Sequence, residues 1–186
     1  MGRMKRVLLC LAIIMMISGC SGGEALYQIE PPPDSILQAN GVSLSENERW
    51  IAADAKVTEH SLAVYDEKTA PIAPFEDGVY TSYSAWKQAV KASGGEVLKG
   101  QLKRYGEDFF AANVLYCGVD ASSAGMGYRV EGVSVEEADS GKTLKLYVSY
   151  SSKAVMNHLS DYFFFVEINA AEAPVSEVVI EKYCRD

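Results

Sequence analysis

Histidine is scarce in this 186-residue chain, which has only two, His60 and His158. The chain lacks the H-E-x-x-H motif of zinc peptidases and the glycine-rich P-loop that binds phosphates. One acidic cluster, residues 136–139, lacks the ligand spacing of a calcium loop, which needs about six to eight oxygens, and it is typical of a solvated hairpin tip. The sequence therefore predicts no metal site and no cofactor, and we expect a protein that is not an enzyme.

Positive charge is also scarce, since the chain has 17 lysines and arginines against 25 aspartates and glutamates. The formal net charge is −8 at pH 7. An acidic surface repels the phosphates of nucleic acids and the head groups of anionic lipids. This charge argues against nucleic-acid binding and against a polybasic membrane contact. We interpret the acidity as a source of solubility outside the cell.

The amino terminus lacks an apolar run long enough to span a bilayer. Residues 7–16 form a run of about ten apolar residues, whereas a spanning helix needs roughly 20. Arg3, Lys5 and Arg6 precede that run and give it the positive flank of a secretory signal. We therefore predict that residues 1–19 are a signal peptide. Its loss would remove three basic residues and no acidic one, which takes the net charge to −11.

A cysteine follows this segment in a context that resembles a bacterial lipobox, Ile17-Ser18-Gly19-Cys20. This resemblance implies cleavage before Cys20 and lipid on its sulfur. The chemistry is consistent with that, since a thiolate is nucleophilic and two or three acyl chains anchor a protein firmly. The alternative is an ordinary secreted protein with a chance cysteine. The expected location is extracytoplasmic, with a lipid anchor in the plasma membrane of a monoderm bacterium or the outer membrane of a diderm.

Proline is concentrated in one place, the run Pro31 to Pro33. Consecutive prolines favour an extended, semi-rigid segment. We predict that residues 20–43 are the lipidated cysteine and a proline-rich tether, and that residues 44–186 form a single extracytoplasmic domain. A proline-rich ligand for an aromatic groove is the alternative interpretation of the same composition.

The domain shows one clear helical pattern and several alternating ones. Trp86, Ala89 and Val90 have helical spacing after a serine that can cap the helix, and Ser45 with Glu48 has the spacing of a capping box before a second, short helix. Residues 161–169 carry apolar side chains on both faces, which is typical of a central strand covered on both sides. The alternation slips by one residue at Gly132, which predicts a β-bulge.

These patterns predict an α+β fold: a curved, mainly antiparallel β-sheet of about six to seven strands, with one main helix packed on it. Short turns between the strands favour antiparallel hairpins. The last strand is expected within residues 174–183.

Two cysteines remain in the expected domain, Cys117 and Cys184. In an exported protein they form either a disulfide or two free thiols. A nucleophilic pair of Cys117 with His158 is a third hypothesis, and the apolar run around Cys117 argues against it.

Tyrosine is abundant, with 11 residues, and outward-facing tyrosines suit contact with proteins or glycans. Tyr147 and Tyr128 are therefore candidate partner-binding residues. Tyr147 is the better candidate, because it lies on the opposite face of its strand from Leu144, Leu146 and Val148. The alternative is that most of these tyrosines belong to the core.

The segment from Asp108 to Tyr150 resembles the C-terminal domain family named for the protease complex subunit PrcB. Phe109, Phe110 and the Gly127-Tyr128 pair carry the resemblance, followed by the alternating strand at residues 144–148. The resemblance as a whole covers roughly residues 79 to 183. The resemblance implies a surface lipoprotein that assists an exported partner, which is a protease in the case that names the family. It implies no catalytic residues.

The sequence as a whole predicts a membrane-anchored, non-enzymatic lipoprotein that binds an exported protein as an accessory subunit. Its partners would be the lipid bilayer, through Cys20, and that protein. The alternative is a binder of small molecules or glycans at the cell envelope.

Overall fold

The computed structural model describes residues 25–31, 35–61, 75–93, 95–151 and 159–185. Within these residues, nine strands form two sheets, with four helices. The strands are β1 (Tyr27–Ile29), β2 (Glu48–Trp50), β3 (Ala53–Ser61), β4 (Gly78–Tyr80), β5 (Asn113–Ser123), β6 (Arg129–Ala138), β7 (Gly141–Tyr150), β8 (Leu159–Asn169) and β9 (Glu177–Cys184). The helices are α1 (Ser35–Ala39), α2 (Tyr83–Ser93), α3 (Glu96–Gln101) and α4 (Glu107–Phe110), with a 3₁₀ turn at Ala170–Glu172.

The five-stranded sheet has the order β1-β3-β8-β5-β4, and all its pairings are antiparallel. Strand β8 lies at its centre. Phe164 and Val166 point to one side of β8, while Phe163 and Phe165 point to the other, and all four are fully buried. The predicted central strand, covered on both sides, is confirmed.

The four-stranded sheet has the order β2-β6-β7-β9. Strands β6 and β7 form a hairpin that turns at Ala138 and Gly141, and the pairing shifts by one residue between Val130 and Gly132. The predicted bulge at Gly132 is confirmed. Strand β9 runs parallel to β7, because the chain crosses through β8 of the other sheet before it returns.

The two sheets pack face to face around one apolar core, to which both contribute alternate residues of their strands. A second apolar cluster lies on the opposite face of the five-stranded sheet, under the helices. Trp86 on α2 is fully buried there, and it contacts the rings of Tyr80 and Tyr105 edge-on. Ser82 Oγ accepts a hydrogen bond from the N–H of Ala85 at 3.3 Å and caps the helix. The predicted main helix and its tryptophan anchor are confirmed.

The α+β class is confirmed, with strands in the majority. The strands divide into two stacked sheets, and three of them are only three residues long: β1, β2 and β4. Segments this short have too few residues to show an alternation. The short helix expected after Ser45 is wrong, because the chain there makes a turn and enters strand β2.

The predicted extent of the tether, residues 20–43, is also wrong in its second half. Strand β1 pairs with β3 from Tyr27 to Ile29, and both Ile29 and Leu37 are buried in the domain. The folded domain therefore begins before residue 44. A three-residue strand followed by prolines resembles a linker in composition, and burial against β3 is what makes it part of the fold. Residues 1–24, which include the predicted signal peptide and Cys20, lie outside the described residues.

Candidate functional site

The two tyrosines predicted to face a partner are both buried. Tyr147 is 2% exposed and Tyr128 is 5% exposed. Tyr128 points into the core between the sheets, where its ring lies 4.7 Å from that of Tyr162. Tyr147 does point away from the core, as expected, but the rings of Trp50 and Tyr183 lie over it, with centroids at 4.9 and 6.4 Å. The expected exposure of both tyrosines is wrong, because neighbouring strands supply side chains that cover them.

A buried carboxylate organises the outer face of the four-stranded sheet. Glu48 Oε1 accepts hydrogen bonds from Ser134 Oγ at 2.5 Å and from the Tyr147 hydroxyl at 2.7 Å. Glu48 Oε2 accepts from Lys145 Nζ at 3.1 Å and from the N–H of Ser45 at 3.2 Å. The side chain of Glu48 is only 2% exposed, so this buried charge is fully hydrogen-bonded, as a stable fold requires. We call these residues the Glu48 network.

The strand register brings the Glu48 network together. Glu48 lies opposite Glu136 on β6, and Ser134 lies opposite Lys145 on β7. All four side chains point away from the core, and Lys145 Nζ also binds Glu136 Oε2 at 2.8 Å. One cation thus bridges carboxylates from two strands, which ties the edge strand β2 to the middle of its sheet.

Hydrogen bonding decides the ionisation of the Glu48 network. Burial acts to raise the pKa of Glu48, but its four hydrogen bonds outweigh that effect, so its pKa lies below the ordinary value. The hydrogen bond to Glu136 is the main cause of a raised pKa for Lys145. Burial raises the pKa of Tyr147. At neutral pH the network therefore holds ionised Glu48 and Lys145 with a neutral tyrosine, an arrangement suited to holding β2 in place.

A shallow depression of about 220 Å³ lies beside the Glu48 network, lined also by residues 40–43, Glu181 and Tyr183. Its polar groups already bond one another: Tyr183 donates to Glu181, and Tyr147 donates to Glu48.

The capping-box spacing of Ser45 and Glu48 is the one sequence feature that pointed to a role for Glu48, but the helix it predicted is wrong. The spacing of Ser45 and Glu48 did indicate a hydrogen bond between them, but the bond closes a turn before a strand and not the first turn of a helix.

The structure separates the two cysteines, and both are free. Cys117 is fully buried beneath the helices with Phe163 and Phe165, and Cys184 is exposed at the end of β9 in the other sheet. The structure therefore has two free thiols, which is one of the two alternatives. Cys117 lies on the helix-facing side of the five-stranded sheet, whereas Cys184 belongs to the four-stranded sheet on the other side, so the two cannot meet. Burial raises the pKa of the Cys117 thiol well above its ordinary value, which disfavours the nucleophilic thiolate. His158 lies outside the described residues.

The two sheets leave a groove open along one side of the sandwich. It has a volume of about 340 Å³ and lies between the edge strands β4 and β9. Val79, Val178 and Ile180 line it, and all three are half-buried and pack against the core. Asp77 and Glu177 lie on its rim, and both are exposed. We call this feature the open groove; no property of the sequence predicted it, because it depends on which strands end at the same side.

Among the described residues, no group of three or more histidines, cysteines and acidic residues is placed to hold a metal ion. No helix among the described residues is long and apolar enough to cross a membrane. His60 lies on β3 opposite Asp161.

Comparison of the chain with protein families, with curated proteins and with solved structures finds no match.

Proposed function

We propose that this chain is a membrane-anchored extracytoplasmic lipoprotein that binds an exported protein through the open groove and acts as a non-enzymatic accessory subunit. The lipobox at Cys20 and the acidic domain motivate the location. The resemblance to the PrcB family motivates a partner of the protease class. The open groove is the observation that carries the binding role.

The groove supports this role because it exposes side chains that belong to the core. Val178 and Ile180 pack against the core from β9, yet each remains only half-buried, and β4 across the groove is only three residues long. Apolar surface with a charged rim is typical of protein interaction sites. A second protein that covered this surface would bury it at a gain of about 25 cal/mol per Å² of apolar area before the costs of association.

A binder of glycans or small molecules at the envelope is the second candidate. The polar depression beside the Glu48 network is the feature that favours it, since Tyr183 is partly exposed there. Its support is weaker, because the polar groups of the depression already satisfy one another and would have to exchange partners to hold a ligand.

Site-specific crosslinking in the native membrane tests the proposal. A photo-crosslinking residue in place of Glu177, on the rim of the groove, should give a defined adduct with an exported protein. The same residue in place of Gln88 serves as the matched control, because this exposed residue lies on α2, in the helix layer on the other face of the five-stranded sheet. Adducts of equal yield at both positions, or none at position 177, would contradict the proposal.

The anchor needs its own test. Cys20→Ala should release the chain from the membrane fraction or leave the precursor uncut, because no other residue of the lipobox carries a thiol. Normal processing and lipid labelling of this variant would refute the predicted anchor.

A further inference from the structure

Strand β9 is a long edge strand. It is eight residues long and pairs with β7 along its whole length, from Glu177 opposite Thr143 to Cys184 opposite Tyr150. In the part of the chain that the structure describes, no strand pairs with its other side. Alternate residues of a strand direct their backbone groups to the same side, so about half of the N–H and C=O groups of β9 point away from β7.

The open groove lies directly beneath this free edge. Val178 and Ile180 face it from β9, and Val79 faces it from β4. Beyond Ile180 the next inward residue, Lys182, binds Asp120 of β5 at 2.8 Å. The residues of β9 that line the groove end at Ile180, before this ion pair. The accessible length therefore runs from Val175 to Ile180, about 20 Å at roughly 3.3 Å per residue.

The rim of the groove is acidic. Asp77 accepts a hydrogen bond from the N–H of Val119 at 3.0 Å. Within the described ranges neither Asp77 nor Glu177 pairs with a cation, while the nearby Asp120 is taken by Lys182. Although Asp77 as a whole residue is exposed, its carboxyl group is partly desolvated, which raises its pKa, and the charge of Asp120 adds to that rise. A cation placed at the rim would relieve this repulsion.

We propose that the free edge of β9 binds an extended, basic segment of a partner protein as an added strand, with the apolar side chains of that segment in the open groove and its basic side chains beside Asp77 and Glu177. Unpaired backbone groups select an extended chain, because only an extended chain matches their spacing. The acidic rim selects basic residues. This inference rests on the proposed function and adds the mode of binding and the chemistry of the partner.

Hydrogen exchange with a defined peptide tests the inference on the full chain in detergent micelles. The probe is an eight-residue peptide that alternates valine and threonine, with lysine at both ends. It should slow amide exchange in residues 175–182 about tenfold or more at saturation, since an added strand protects outward-facing amides. Exchange in the α2 helix should not change. If the peptide does not slow exchange in β9, or slows it elsewhere only, the inference is overturned.

Two changes to the peptide separate the contribution of backbone hydrogen bonds to binding from the contribution of charge. The same peptide with N-methyl groups on alternate amides cannot complete a ladder and should not slow exchange. The same peptide with glutamate at both ends should bind at least tenfold more weakly at low salt. Equal effects of the methylated and unmethylated peptides would overturn strand addition, and equal affinities of the basic and acidic peptides would overturn the charge preference.

A double variant, Asp77→Asn with Glu177→Gln, tests the rim. An asparagine oxygen can still accept the hydrogen bond from Val119, so the fold should persist. Affinity for the basic peptide should fall about five- to tenfold, whereas Glu107→Gln, an exposed change on α4, should leave it unchanged. Unaltered affinity in the double variant contradicts the assigned rim.

The failure of this inference can be told apart from the failure of the proposed function. A crosslinked partner at position 177 without protection of β9 by the peptide would refute strand addition and leave the proposed function standing.

Discussion

Removal of the Glu48 carboxylate should destabilise the domain strongly. In Glu48→Ala, the hydroxyls of Ser134 and Tyr147 lose their shared acceptor, and both residues are essentially buried. A buried polar group without a partner costs about 1–3 kcal/mol. Lys145 keeps its contact with Glu136 at 2.8 Å, so its charge remains paired. The two hydroxyls together set an expected loss of about 2–6 kcal/mol in the free energy of unfolding.

Urea unfolding followed by near-ultraviolet circular dichroism measures this loss, because tyrosine and tryptophan rings pack on the network. Glu48→Gln keeps an acceptor oxygen and should lose less than Glu48→Ala. Glu137→Ala is the matched control: this exposed carboxylate of β6 makes only looser contacts with Arg49 and Lys142, at 3.8 and 3.5 Å, and exposed ion pairs contribute about 0–1 kcal/mol. A Glu48→Ala protein within about 0.5 kcal/mol of the wild type, inside the range of ordinary surface substitutions, would refute the assigned role of the network.

The same carboxylate predicts a dependence of stability on pH. The pKa of Glu48 is lower in the folded chain than its ordinary value of 4.5. Its contribution is therefore fully present above pH 4.5 and is lost as the pH falls through the folded value, where the folded state must take up a proton. The difference in stability between wild type and Glu48→Gln should shrink as the pH falls below 4.5. A constant difference down to pH 2 would contradict the lowered pKa.

Three further predictions concern the core and the turns. Trp86→Ala should cost about 3–5 kcal/mol in urea unfolding, because the indole is fully buried and large-to-small changes leave a cavity; a loss below 1 kcal/mol would contradict its anchoring role. Gly141→Ala should cost about 1–3 kcal/mol, since φ is +129° at this hairpin position, and an unchanged midpoint would refute that strain. Alkylation of the folded chain followed by peptide mapping should label Cys184 and spare Cys117, and labelling of Cys117 would contradict its burial.

Local patterns predicted the parts of the fold that depend on neighbours in the chain. The spacing of Trp86 and Val90 indicated a helix with one buried face, and α2 buries both residues. The slip of alternation at Gly132 indicated the bulge, since an extra residue reverses the faces of every residue after it. These features follow from periodicities of 3.6 and 2 residues, which a single segment displays by itself.

Long-range contacts decided the candidate site. Glu48 and Lys145 are far apart in the sequence, and only the pairing of β2 with β6 and of β6 with β7 makes them neighbours. Tyr147 had the right face but the wrong exposure, because Trp50 and Tyr183 come from other strands. The periodicity of the segment around Tyr147 carries no information about the side chains of other strands that cover it.

The sequence by itself determined the predicted lipobox, the acidic charge and the α+β class, because each depends on composition or on short-range pattern. Only the tertiary structure decided that the strands form two sheets, that β1 belongs to the domain and that Cys117 and Cys184 stay apart. It also placed β9 at an edge beside the short strand β4. The physical reason is that strand partners are selected by the total burial of apolar surface across the whole domain, a quantity that no single segment contains.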